Sequence, residues 1–333
     1  MEILALSLLI LLPFISDTSG DDDSNDTENA GEPDPVDTST DTTGSGGDDD
    51  VVLTDGADTF SAFAGNDAVH GGAGFDNISG GPGDDTLGGG LGQDVLYGGI
   101  GNDELNGENW NDVLVGGSGD DVAAGDAGND IIVGESGNDT LDGGDWADLI
   151  YGGDGEDLII GGEGGDILDG GLTFSKAVSF SQAIETGDNV RAAIGDDIPE
   201  DFDLFPDSIT LKVLDDNDAD TLSGGNGNDL IFMGSGDEAT GGDGQDDFVI
   251  IADEALGSGP TVSTITDFDP DEDAVAVLLN NGNEAPEVDT TEDVETGDTL
   301  ITVDGNIVAR LEGVSIDRVG DIPVAFFEEV AVV

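Results

Sequence analysis

Residues 71–79 read GGAGFDNIS and residues 80–88 read GGPGDDTLG, the same nine-residue template written twice. Outward from this pair, thirteen units run in frame from Leu53 to Asp169, among them GGIGNDELN at 98–106 and GGDGEDLII at 152–160. The sixth position is aspartate in every unit: Asp58, Asp67, Asp76, Asp85, Asp94, Asp103, Asp112, Asp121, Asp130, Asp139, Asp148, Asp157 and Asp166. The eighth is apolar in every unit, from Phe60, Val69 and Ile78 to Ile150, Ile159 and Leu168. Self-similarity at a fixed short period marks a stacked, quasi-one-dimensional fold. Glycine tolerates positive φ and close backbone approach, so the first six residues of a unit predict a tight turn. The last three predict a brief strand with position eight pointing inward. Two units then make one coil, and stacked coils set parallel strands about 4.8 Å apart. Odd-numbered units place their aspartates on one edge, even-numbered units on the other.

Composition narrows the function. Lysine plus arginine total 5 and aspartate plus glutamate total 78 in 333 residues, a net charge of −73. Nucleic-acid binding is dominated by cationic contacts to phosphate, so that partner is excluded. An anionic membrane surface is disfavoured for the same reason. Cysteine is absent, which removes disulfides, thiolate metal sites, cysteine nucleophiles and lipoprotein anchoring. The one histidine, His70, falls at position nine of an early unit and reads as an exposed strand residue, not a catalyst.

Several regions flank the repeats. Residues 1–20 carry an apolar run, Ile3 to Ile15, too short to span a bilayer as a helix. Its length suits a signal-peptide core with Thr18-Ser19-Gly20 as the cleavage site, but Glu2 precedes it and the first basic residue is Lys176. A cleaved leader and a short hydrophobic terminus both remain open. Residues 21–52 read as a disordered acidic linker, with too little apolar surface to offset ordering. The repeat block occupies 53–171. An insertion at 172–214 holds Lys176, Arg191 and Lys212, with a short helix expected over Ser181–Ile194. The repeat resumes at 215–249, where Asp220, Asp229 and Asp246 hold position six and an eight-residue unit, Met233–Thr240, offers Glu238. Residues 250–333 read as a β-rich cap: Ala274–Leu279 and Thr299–Leu311 alternate like strands, and Asp304-Gly305 is a hairpin signal. The expected fold class is therefore all-β: a parallel β-roll with a C-terminal β cap.

Such a stack requires counter-ions. Carboxylates about 5 Å apart repel by roughly 3 kcal/mol per pair at an effective dielectric of about 20. A cation between turns cancels that repulsion and ties backbone carbonyls together. Ca²⁺ fits best, because it takes oxygen ligands, carbonyls included, in flexible geometry. Mg²⁺ demands a strict octahedron, and zinc and copper want nitrogen or sulfur, which this chain almost wholly lacks. The candidate metal ligands are the thirteen in-frame aspartates together with Asp220, Asp229 and Asp246.

The pattern GGxGxDxUx, with U a large apolar residue, resembles the RTX or haemolysin-type calcium-binding repeat. The likeness covers 53–169 and 215–249, and the segments GGDGQDDFV and TITDFDPDED resemble the region that follows the last repeats in such proteins. The resemblance implies a calcium-stabilised β-roll, with Ca²⁺ held between alternate units by position-six aspartates and loop carbonyls. It further implies type I export through an uncleaved C-terminal signal, for which Glu328–Val333 is compatible, and folding only where calcium is abundant. Departures stand at Trp110 and Trp146 in position four, and at Glu108, Asp126 and Glu135 in position two. The resemblance thus implies a secreted, extracellular calcium-binding protein with no catalysis of its own and no membrane span. The alternatives are a calcium-rigidified adhesion or matrix protein, and a hydrolase built on acidic pairs such as Asp271 and Asp273. An ice-binding face would need a straight threonine row, which positions three and seven lack.

Positions seven and nine should face solvent. In the odd units from the fifth onward they form an apolar row: Val95, Tyr97, Val113, Val115, Ile131, Val133, Leu149, Tyr151 and Ile167. An exposed stripe of this kind is normally covered or used. Cover by the 172–214 insertion or the C-terminal segment is the expectation, and a protein or surface partner is the alternative.

Overall fold

The computed structural model describes residues 43–174, 213–215, 218–252, 262–279, 287–319 and 324–326. These form a parallel β-solenoid of about nine turns followed by a mixed-sheet region. Successive strands alternate between two sheets. Asn77–Pro82, Val95–Ile100 and Val113–Ser118 stack in one, and Ala68–Ala73, Thr86–Leu91 and Glu104–Asn109 in the other. Each strand pairs with the strand two units on, in parallel and without slip.

The strands are longer than the template predicts. Most span six residues, positions seven to nine of one unit and one to three of the next, so the turn shrinks to positions four to six. The leading glycines are strand residues. Position two holds φ near +110°, for example at Gly81 and Gly117. A Cβ added at either would strike the carbonyl oxygen of the position-two residue one coil below. Close stacking therefore asks for glycine there. Phe63, Glu108, Asp126 and Glu135 nevertheless occupy this position, at φ of 67–78°.

Position eight supplies the core of both sheets. Ile78, Leu96, Leu114, Ile132, Ile150 and Leu168 lie in one continuous register and are fully buried. Val69, Leu87, Leu105, Ala123, Leu141 and Ile159 form the matching row opposite.

Three boundaries differ from expectation. The roll begins within the segment read as linker: Asp50–Val52 is a strand paired to Ala68–His70, and Gly44–Val52 (GSGGDDDVV) is a further unit with Asp49 at position six and buried Val51 at position eight. Its run of three aspartates mimics linker composition. The insertion leaves the solenoid through an antiparallel pair, Leu172–Phe174 with Val213–Asp215, and the register resumes beyond it, Leu158 pairing Thr221 and Ile167 pairing Leu230. The solenoid then continues past residue 249, with Ser263–Ile265 and Ala274–Leu279 each adding a parallel strand. An antiparallel meander of Val288–Glu292, Thr299–Val303 and Asn306–Leu311 follows. Its hairpin turns on Asp304 and Gly305, both at positive φ, as the sequence predicts.

The apolar stripe forms in register but is not exposed. Val95 and Val115 are 6% and 8% exposed, Ile167 is also buried, and the other six members are half-buried. Position seven on the opposite sheet differs: Val122 is 48% and Leu158 39% exposed. The cover assigned to the insertion lies outside the described residues over 175–212, as do the expected helix at 181–194, the 3–15 apolar run and the 328–333 terminus. No helix among the described residues is long and apolar enough to cross a membrane.

Candidate metal centre

Beyond the first of each row, a position-six aspartate is fixed by the coil that precedes it. The backbone N–H of Asp103 donates to Oδ1 of Asp121 at 2.8 Å, and that of Asp121 donates to Oδ1 of Asp139 at 2.8 Å. The same bond recurs along both edges. One ladder runs from Asp49 through Asp67, Asp85 and on to Asp157, Asp220 and Asp237. The other runs from Asp58 through Asp76 and Asp94 to Asp166, Asp229, Asp246 and Asp273. All sixteen aspartates expected as metal ligands stand in these two rows. The steps from Asp157 to Asp220 and from Asp166 to Asp229 each span 63 residues where the steps within the first block span 18, so both rows skip the insertion without loss of a rung.

The second carboxylate oxygen is what matters for a cation. Fourteen Oδ2 atoms, those of the in-frame aspartates from Asp67 to Asp166 and of Asp229 and Asp246, are buried with no hydrogen-bond partner. An unpaired buried oxygen of this kind carries the full cost of lost hydration. From Asp76 onward each presses against the position-one glycine of its own unit. A Cβ placed on Gly71 would lie 2.7 Å from Asp76 Oδ2 and 2.5 Å from the carbonyl oxygen of Gly89 in the next coil. A carboxylate oxygen and a carbonyl from adjacent coils thus crowd the same spot.

Burial raises these carboxyls far above their ordinary range. Desolvation is the largest cause, backbone N–H donation opposes it, and for many of them neighbouring carboxylates add to it. Asp94 and Asp139 rise to about 6, Asp121, Asp130, Asp157 and Asp166 to about 7, and Asp112 and Asp148 to about 9.

This donor set fits calcium. Among the described residues no three acidic or histidine side chains surround one point. Each turn offers one charged oxygen, and the rest of a coordination shell must come from backbone carbonyls, which Ca²⁺ accepts and zinc does not favour. The residues that would hold the ion are the fourteen aspartates with orphaned Oδ2. The end residues use theirs differently: Asp58 Oδ2 takes the N–H and hydroxyl of Thr54 at 2.9 and 2.7 Å, and Asp49 takes those of Ser45.

The short unit supplies Asp237, not Glu238. Asp237 Oδ1 accepts the Asp220 N–H and its Oδ2 accepts the Gly234 N–H, while Glu238 faces outward. The missing residue is lost before the aspartate, so the rung shifts back by one. Asp273 is likewise a rung, accepting the N–H groups of Asp246 and Asp269, and Asp271 pairs with Arg318 at 3.0 Å. His70 is exposed beside Glu108, 3.6 Å away.

A second ladder is not legible from the template. At position five, side-chain oxygens accept from the coil that follows, opposite in sense to position six. The N–H of Asn102 donates to Asp84 Oδ1, that of Asp120 to Asn102 Oδ1 and that of Asn138 to Asp120 Oδ1, at 3.0–3.1 Å.

The model of the RTX calcium-binding nonapeptide repeat matches residues 43–78, 70–105, 79–114, 107–141, 142–172 and 214–237, the stretch that builds most of the solenoid and both aspartate rows. A search of curated proteins returned no match. With its aspartate ladders consistent with calcium binding, the chain carries RTX haemolysin-type calcium-binding nonapeptide repeats, wound into a parallel β-solenoid.

Proposed function

We propose that this is a secreted, non-catalytic protein whose solenoid folds when Ca²⁺ binds, and which serves a structural or interaction role outside the cell. The observation that carries this reading is the fourteen buried, unpartnered Oδ2 atoms of the two rows. Among the described residues no basic side chain pairs with them, and basic residues total 5 against 78 acidic ones in the sequence. Two basic residues, Arg310 and Arg318, pair with acids of the C-terminal region and not with the ladders. Proteins bearing such repeats are typically secreted, and extracellular calcium is abundant enough to fill modules of about 10⁻⁴–10⁻³ M affinity. When bound, the ion supplies the positive charge that the stacked rungs lack. Residues proposed for hydrolysis are engaged structurally: Asp271 in an ion pair and Asp273 in two backbone hydrogen bonds.

Calcium titration followed by far-ultraviolet circular dichroism tests the proposal. A disordered spectrum in chelator that becomes a strand spectrum in millimolar Ca²⁺ is expected. The same compact spectrum with and without the ion defeats the reading.

A further inference from the structure

The two edges of the solenoid are not equivalent. On the even edge, position five is Asn66, Asp84, Asn102, Asp120, Asn138 and Glu156. Each of these backbone N–H groups is held by the position-five oxygen of the coil below, from Asp48 upward, at 2.9–3.2 Å. Position four is glycine throughout, with φ between 132° and 142°. Every turn is therefore stapled twice, and Asp48, Asp84, Asp120 and Glu156 add negative charge beside the position-six row.

The odd edge lacks these features. Its position-five residues include Ala57, Phe75, Gln93, Ala147 and Gly165, none of them charged. Only Asn111 and Asn129 extend a second ladder there within the first block, to Asn129 and Ala147. Position four is Trp110 in one turn and Trp146 two coils on, at φ of 82° and 90°. Both residues are exposed, by 64% and 68%. The backbone at these turns differs from the even-edge geometry and is strained.

We propose that the even edge is the tight cation row, filled first, and that the odd edge, above all the turns at Trp110 and Trp146, fills last. This rests on the calcium reading above and adds an order to it. Preorganised oxygens lose less on binding, and extra anionic charge attracts the ion. The buried Oδ2 atoms are present in both rows, so the difference lies in the turn and not in the ligand aspartate.

The tryptophans provide the test. The chain has only two, both on the odd edge. A six-residue strand places the even edge about 20 Å away, at about 3.3 Å per residue. Terbium is titrated into the calcium-free full chain, and emission is recorded by direct excitation, which reads every site, and by excitation through tryptophan, which reads the odd edge. The tryptophan-sensitised curve is expected to lag, with a midpoint roughly threefold or more higher in free terbium. Asp84→Asn with Asp120→Asn keeps the position-five acceptors and removes their charge, and should narrow the lag. Coincident curves, or a sensitised curve that leads, overturn the ordering while leaving calcium binding intact. Absence of terbium or calcium binding altogether overturns both.

Discussion

At the scale of the residue, the position-one glycine is a steric requirement separate from backbone conformation. Gly116 has no positive φ, yet a Cβ there would meet the Asp121 carboxylate. Gly116→Ala must push that carboxylate out of its slot, and overpacking of this kind costs about 1–3 kcal/mol. The calcium midpoint, followed by circular dichroism, should rise. Gly46→Ala is the control, because a Cβ at Gly46 meets nothing within 4 Å and should leave the midpoint unchanged. Equal midpoints for the two variants would show that the carboxylate does not need its slot. Much of the site was legible at this scale, because a single residue type recurs at one register and its spacing alone places it on an edge. Asp237 was not, since a one-residue deletion upstream leaves the template pointing at its neighbour Glu238. Asp49 was hidden inside Asp48-Asp49-Asp50, where only pairing to the Ala68 strand tells a rung from a charged tail.

At the scale of the element, the solenoid keeps its turn geometry even where the sequence resists it. Trp146 sits at φ 90° and is 68% exposed. A left-handed non-glycine residue costs about 1–2 kcal/mol, and glycine's own entropy returns about 0.5–1 kcal/mol of that. Trp146→Gly should therefore raise the melting temperature slightly in saturating calcium. A fall would mean that the ring makes a stabilising contact of its own. Strand length was the least legible property. Glycine pairs read as turns because of their propensity, but the ladder from Gly81 to Gly99 to Gly117 holds them in strand. The opposed position-five ladder was equally hidden, because it depends on small polar side chains that meet only after the coil is closed.

At the scale of the whole molecule, the balance of charge decides when the chain can fold. Unfolded aspartate titrates near 4, whereas the ladder carboxyls are raised by burial to about 6 at Asp94, 7 at Asp121 and 9 at Asp148. A raised folded value means the folded form binds protons more readily than the unfolded one. Without calcium, the stability from these groups is complete below pH 4 and is lost as pH climbs through 6 to 9. Metal-free protein should accordingly gain strand signal as pH is lowered from 9 toward 5. Calcium should hold the signal across that range, and calcium affinity should increase with pH as protons leave the same oxygens. A metal-free spectrum independent of pH would contradict the assignment of these buried carboxyls.

The step from Asp157 to Asp220 has a consequence for how such a chain can change. The thread departs beside Gly170 and rejoins one rung later in the same register, closed by a short antiparallel stem. That seam decouples what is carried from what carries it. A module of almost any length, so long as its ends come together, could be grafted there while the pitch of the scaffold stays untouched, by a genome or by an engineer.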